Sequence, residues 1–328
     1  MRNRKIRKNN NKKFKTRRIL LAVSVLMIVT TGAYLTKSVL NKKSKKSNVQ
    51  VLSEKNSDKK GSKDKNSRKQ YLTEEEPRKK EIKKSNPEDI LKAANVTVEG
   101  NKYAYDAKKI EETLKSGKAY VDGKKIAFLT FDDGPSTTVT PKILDILKEN
   151  NLKATFFIVG NSLETSDGAK EILKRTIKEG HAIGNHTYSH NYKHLYPGRF
   201  VNANNFMNEI DQNERIMKSV LGEDFHTRVV RFPGGHMSWK GTEGIDKVMN
   251  DRNYAYIDWN ALSGDAEGRR RTPEQLAARV KGEITENCKP DRVVVLMHDT
   301  YGKENTAKSL QEIINHLKSL GYEFKTLK

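Results

Sequence analysis

Five short stretches carry side chains that could do chemistry together. Asp132 and Asp133 stand side by side in Phe128-Leu-Thr-Phe-Asp-Asp-Gly-Pro135, and His186 and His190 are four apart in Asn185-His-Thr-Tyr-Ser-His190. Arg231 opens Arg231-Phe-Pro-Gly-Gly235, Asp265 closes Asn260-Ala-Leu-Ser-Gly-Asp265, and Leu296-Met-His-Asp299 supplies His298. Singly, each has an ordinary explanation: Asp-Gly-Pro is turn chemistry, and an Asp ahead of a helix caps it. Together they point to a metal centre. Imidazoles at i and i+4 share one face of a helical turn, and two His with one carboxylate form a zinc set that leaves a coordination position open. Adjacent side chains of an extended segment point apart. Asp132 and Asp133 are therefore expected to divide the work, one binding metal and the other facing the water that the metal activates.

Short apolar or β-branched runs at 125–131, 154–159, 181–184, 229–232, 255–259 and 293–297 read as strands. Helix-like segments at 141–149, 169–178, 206–220, 273–285 and 307–320 separate most of them, and 322–327 reads as a final strand. Such alternation predicts a parallel sheet with helices outside, either an open α/β sheet or a (β/α) barrel. In both, the chemistry gathers at the C-terminal ends of the strands, which is where these acids, imidazoles and Arg231 fall. Upstream, 87–91 and 105–117 look helical, the second with Asp106 as N-cap and Gly117 as stop.

Thr130-Phe-Asp-Asp-Gly-Pro135, His186-x-x-x-His190, Arg231-Phe-Pro-Gly-Gly235 and Leu296-Met-His298 occur in the order and approximate spacing of the polysaccharide deacetylases, the NodB-like carbohydrate esterase family 4. Residues 120–328 resemble that family. The resemblance implies a distorted (β/α) barrel and metal-dependent removal of acetyl groups from N-acetylglucosamine polymers. It implies that Asp133, His186 and His190 hold a divalent metal, Zn2+ or alternatively Co2+. Asp132 would be the general base, oriented by Arg231, which Asp265 would hold in turn. His298 would be the general acid, Leu296 would line the acetyl pocket, and Trp259, Pro233 and Gly234 would belong to the sugar groove. One departure stands out: many relatives follow the fourth motif's Asp with Trp, and here Asp265 precedes Ala266. Trp239, Trp259 and Tyr301 are the candidates for the missing wall. His181 reads as structural, and His194, His226, His236 and His316 as surface residues.

Charge is unevenly spread. Of 328 residues with a net +22, the first 118 hold 33 Lys and Arg against 13 Asp and Glu, and the remaining 210 are nearly neutral at 30 against 28. A neutral folded part argues against a nucleic-acid-binding face. The basic part suits anionic lipid or anionic wall polymers. Residues 1–18 carry ten basic side chains and no acid, and 19–35 carry no charge. That pattern predicts a signal anchor at 19–36 in the cell membrane, with the N-terminus in the cytoplasm and the rest of the chain outside; Thr31-Gly-Ala33 offers a weak cleavage site that would instead release a secreted protein. Residues 37–85 are too poor in large apolar side chains to fold and read as a tether, 86–118 as a helical lead-in and 119–328 as the catalytic domain. A single cysteine, Cys288, excludes an intrachain disulfide and reads as a small buried residue. The whole suggests a Gram-positive-type, extracytoplasmic peptidoglycan N-acetylglucosamine deacetylase. Alternatives are an N-acetylmuramic acid, chitin or acetyl-xylan deacetylase, and a wall-binding homologue without activity.

Overall fold

The computed structural model describes residues 86–118, 122–286 and 291–328. The expected leader, anchor and tether, and Cys288, lie outside them. Among the described residues no helix is long and apolar enough to cross a membrane.

The described strands are β1 (Ala104–Tyr105), β2 (Ile126–Gly134), β3 (Thr155–Ile158), β4 (Ala182–Asn185), β5 (Val229–Val230), β6 (Ala255–Tyr256), β7 (Ala261–Leu262), β8 (Arg292–His298), β9 (Glu323–Phe324) and β10 (Thr326–Leu327). The main sheet runs β6-β5-β4-β3-β2-β8-β7, with β9 beside the start of β2, and all its pairings are parallel. Its shape follows from connectivity. The two outermost strands of this path, β6 and β7, are consecutive in the chain, five residues from Tyr256 to Ala261. Five residues reach at most about 18 Å, whereas seven flat strands would separate their edges by about 29 Å. The sheet must curl, and it forms an incomplete barrel. At its open edge the Asn260 side chain takes the place of a strand, donating to Arg292 O and accepting from Val294 N.

The two-residue period sorts side chains between the faces. Ala127, Leu129 and Phe131 of β2, with Val293, Val295 and Met297 of β8, pack outward into one core cluster. That cluster also takes Ile143, Leu144 and Leu147 of helix Thr140–Glu149 and Leu310, Ile313 and Ile314 of helix Glu304–Ser319. Ile126 and Phe128, with Val294, Val229, Ala255 and Ile257, form a second cluster on the opposite, inner face. Continuing the same alternation toward the strand ends brings Thr130 and Asp132, Leu296 and His298, Arg231, and Trp259 onto that inner face. Its beginning is thus apolar and its end polar.

The lead-in departs from expectation. Residues 87–91 are not helical; Ile90 instead bridges Thr97, since five residues are too few to nucleate a lone helix. Helix Ala107–Ser116 does form, with Lys108 N donating to the Asp106 cap at 2.8 Å and Gly117 at φ 60° ending it. β1 pairs with β10, Asn95 donates to Ile183 O and Leu327 O, and Ala107 and Ile110 join the inner cluster.

Candidate active site

Asp132 and Asp133 end β2, but they do not point apart. Asp132 is in register with Phe157 and Gly134 with Ile158, so Asp133 is bulged out of the ladder at φ 70°. A bulge re-aims a side chain, and both carboxylates face the histidines. Gly134 is required here, because a Cβ would collide with the carboxyl of Asp299. That buried carboxyl accepts from Thr140 Oγ1 at 2.6 Å, and Asp299 N donates to Asp132 O, pinning the turn. Burial, then the charges of Asp133 and Asp132, push Asp299 up to about 7 against the Thr140 bond.

The histidine pair does not use a helical turn either. His186 to His190 is a loop after β4, with Thr187 at φ 66° and His190 at φ 54°. Such conformations cost about 1–3 kcal/mol each and persist only when the surroundings hold them. Here Asn185 Oδ1 accepts from Thr187 N, and Asn213 Nδ2 donates to Asn185 Oδ1 and Thr187 O. Glu209 accepts from Ser189 N and Oγ. Asn213 and Glu209, four apart on helix Ala203–Leu221, were not singled out from sequence. The available signal was two polar residues on the buried stripe formed by Phe206, Ile210 and Met217.

Asp133 Oδ1 lies 3.4 Å from His186 Nε2 and 3.3 Å from His190 Nε2. It is buried and makes no well-aligned hydrogen bond. The candidate donor atoms of the three residues all lie within 4.8 Å of one another. Metal–ligand bonds of about 2.0–2.2 Å in a tetrahedron separate neighbouring ligand atoms by about 3.4 Å, so the residues fit a small divalent cation. His186 Nδ1 contacts Arg231 O at 2.8 Å. A carbonyl only accepts, so Nδ1 carries the proton and Nε2 is the free donor atom. Burial alone would raise Asp133, but the closeness and charge of His186, then the charges of His190 and His298, hold it well below the usual carboxylate range. Burial, then the charge of His186, pushes His190 down to about 4. For His186 burial pulls downward, and the nearby carboxylates Asp132 and Asp133 outweigh it.

Arg231 is fully buried. Its Nη1 donates to Asp132 Oδ1 and Thr130 Oγ1, each at 2.8 Å, and its Nε to Ile257 O at 2.8 Å. Its guanidinium lies 4.2 Å from the Phe157 ring centroid and 5.8 Å from that of Trp259. A buried charge is tolerable only when paired and bonded in this way. Asp132 Oδ2 is left facing His186 Nε2 at 3.6 Å.

The expectation that Asp265 holds Arg231 is corrected by the geometry. Asp265 Oδ1 meets His298 Nδ1 at 2.8 Å, and Oδ2 accepts from His298 N and Thr306 Oγ1. The reason is topological: β7, just before Asp265, pairs with β8, while Arg231 follows β5 between β4 and β6. His298 Nε2 then lies 3.9 Å from Asp133 Oδ2. Burial pulls His298 downward, but the bond and charge of Asp265, then the charges of Asp132 and Asp133, push it up to about 9. Asp265 is held low despite its burial, chiefly by His298.

Leu296 is 8% exposed, two residues before His298 on the same strand face. Pro233 is buried and Gly234, at φ 78°, is exposed. Trp239 stacks on Tyr196 at 3.9 Å and donates to Pro233 O, so it braces the loop. Tyr301, 55% exposed, lines an opening of about 270 Å³ with Asp133, Pro135 and His190. The Tyr192 ring, not anticipated, lies 5.2 Å from that of His190. His181 is structural as expected, accepting from Ala154 N and driven by burial to about 3. His236 is not a surface residue: it is buried, stacks on Tyr256 and contacts Asp246 at 2.7 Å.

Residues 119–256 match the sequence profile of the polysaccharide deacetylases. The chain is 35% identical over 201 residues to a peptidoglycan-N-acetylglucosamine deacetylase of Bacillus cereus, covering 61% of this chain and 66% of that protein. It is 32% identical over 238 residues to the peptidoglycan-N-acetylglucosamine deacetylase PgdA of Listeria monocytogenes, covering 72% of this chain but only 44% of the longer relative. A solved CE4 esterase of Streptococcus mutans superposes with a TM-score of 0.68 at 39% identity, over 74% of this chain and all of that one. With its curled parallel sheet and the Asp-His-His cluster at the strand ends, the chain belongs to the polysaccharide deacetylase family, carbohydrate esterase family 4.

Proposed function

We propose that this protein hydrolyses the N-acetyl group of N-acetylglucosamine residues in peptidoglycan and releases acetate. In this reading Asp133, His186 and His190 hold a divalent cation, and the two imidazoles with one carboxylate suit zinc. One observation carries the reading: two proton-handling pairs, Asp132 with Arg231 and His298 with Asp265, flank a single three-ligand set. The peptidoglycan deacetylases of Bacillus cereus and Listeria monocytogenes support the choice of polymer. So does the charge pattern of residues 1–36, which suits a catalytic unit outside the cytoplasmic membrane, where peptidoglycan lies.

When bound, the cation supplies hydroxide-like water near neutral pH and polarises the acetamide carbonyl. Asp132 Oδ2 takes the proton of the attacking water, while Arg231 fixes Oδ1. His298 Nε2 gives a proton to the departing nitrogen, which otherwise leaves poorly. Asp265 fixes the His298 tautomer by accepting from Nδ1 and favours the charged ring.

The charged ring is the proton donor, present below its pKa and lost above it. Asp265→Asn removes the carboxylate that raises that pKa, so the basic limb of kcat/KM should move to lower pH, by about one to three units. A limb that stays in place would remove Asp265 from this role. The function itself is tested by digesting peptidoglycan with the full-length protein and weighing the muropeptides. Loss of one acetyl group from N-acetylglucosamine is expected. Intact muropeptides alongside deacetylated acetyl-xylan would refute the substrate.

A further inference from the structure

Beside the metal opening stand cations that the reaction does not use. Strand β7 ends at Leu262, and the chain then turns through Gly264, at φ 70°, and Gly268, at φ 58°, toward helix Pro273–Glu286. Arg269, Arg270 and Arg271 follow the second glycine. The loop after β8 holds Tyr301, which lines the opening with Asp133 and His190, and Lys303. We propose that Arg269 and Arg270 bind carboxylates of the stem peptide borne by the glycan whose acetamide sits at the metal centre. The proposal rests on the substrate reading above and extends it from the sugars to the peptide of the polymer.

The arginine loop is held in place before any ligand arrives. Arg271 Nη1 folds back and donates to Gly264 O and to Glu267 O, the second at 2.9 Å. A Cβ on Gly264 would lie 2.7 Å from that Nη1, so glycine is needed where the guanidinium returns. Asn305 Nδ2 donates to Arg271 O at 2.8 Å, and Lys303 Nζ to Asp265 O at 2.7 Å. These bonds tie the loop to the segment that follows Tyr301 and to Asp265, the partner of His298. A recognition loop fixed in advance loses less conformational freedom on binding.

Charge and exposure select the occupant. Arg271 and Lys303 bond to carbonyl oxygens, and neither has a carboxylate partner among the described residues. Arg269 is exposed and makes no hydrogen bond or ion pair among them. Arg270, 72% exposed, meets Glu304 Oε2 at 3.6 Å, beyond hydrogen-bond reach. With Asp265 bonded to His298 and Asp299 buried, these four cations stand against two acids, Glu267 and Glu304, in a catalytic part that is nearly neutral overall. A guanidinium fork matches a carboxylate in shape as well as charge. Ala266 follows Asp265, so this loop offers a sugar no ring to stack on; it offers charge. Peptidoglycan places peptide carboxylates beside its N-acetylglucosamine, and chitin has none. A ligand held next to Asp265 and His298 belongs to the molecule being deacetylated, which favours the stem peptide over a separate anionic wall polymer.

The test uses the full-length, metal-loaded protein and peptidoglycan strands freed of other wall polymers, either native or with their peptide carboxyls amidated, following acetate release. For wild type, amidation should lower kcat/KM by about three- to tenfold, mainly through KM, the effect of losing two exposed ion pairs. This arm needs no variant. Replacing both residues, Arg269→Ala with Arg270→Ala, should lower kcat/KM on native strands by the same factor and change that on amidated strands by less than about 1.5-fold, since no pair is left there to lose. Both side chains are exposed and Arg271 holds the loop, so the fold should survive; turnover of amidated strands reads this directly. Losses equal on the two substrates, or a wild type indifferent to amidation, would overturn the assignment and leave the substrate reading standing. A loss seen only with strands still joined to an anionic wall polymer would give the loop to that polymer and overturn it too. A wild type inert on native and amidated strands alike would overturn both.

Discussion

Asp132→Asn should keep its metal and lose about 10²–10⁴-fold in kcat, the usual contribution of a positioned general base. The amide has the shape of the carboxylate and can still offer an oxygen to Arg231 Nη1, but it cannot take a proton from water. The variant also leaves Arg231 buried without its counter-charge, which costs about 3–5 kcal/mol when a buried pair is broken outright. Arg231 retains Thr130 Oγ1 and Ile257 O as acceptors, so the loss should sit below that range. A domain stable by about 5–15 kcal/mol survives it. Kinetics, metal analysis and a thermal melt of one preparation separate these effects. Turnover near the wild-type rate would remove Asp132 as the base.

His186→Ala should do the reverse, losing the metal first and activity as a consequence. The substitution removes one of three donors and frees the carbonyl of Arg231, which His186 Nδ1 now occupies. Loss of an outer partner alone weakens metal affinity by about 10–100-fold, so loss of a ligand should exceed about 100-fold. Equilibrium dialysis against zinc, followed by metal analysis, reads this directly. Unchanged zinc content would contradict the site. The two variants form a pair: one keeps metal without turnover, and the other lacks both. Wild-type metal affinity should also fall as pH drops, because binding requires both imidazoles deprotonated.

Much of the fold was legible because its strands follow a simple rule. The runs around 126–134 and 292–298 are long and apolar, and a strand buried on both faces needs that composition. Helix Glu243–Asp251 was harder to read. Gly244 and the polar pair Asn250-Asp251 weaken its propensity, and it is Ile245 and Met249, one turn apart on a buried face, that hold it. The short strand β7 has two residues and no period to detect; its partner β8 defines it.

The site divides in the same way. Which residue types meet at the strand ends was legible in the sequence alone, since paired carboxylates, imidazoles four apart and the Arg231 and His298 motifs leave local signatures there. Which carboxylate meets which partner was decided only by the tertiary structure. Asp265 reaches His298 because β7 pairs with β8, and Asp133 reaches both imidazoles because a bulge turns it toward them. Spacing along a chain records neither strand order nor the direction of a bulged side chain, because both arise from hydrogen bonds between segments far apart in sequence.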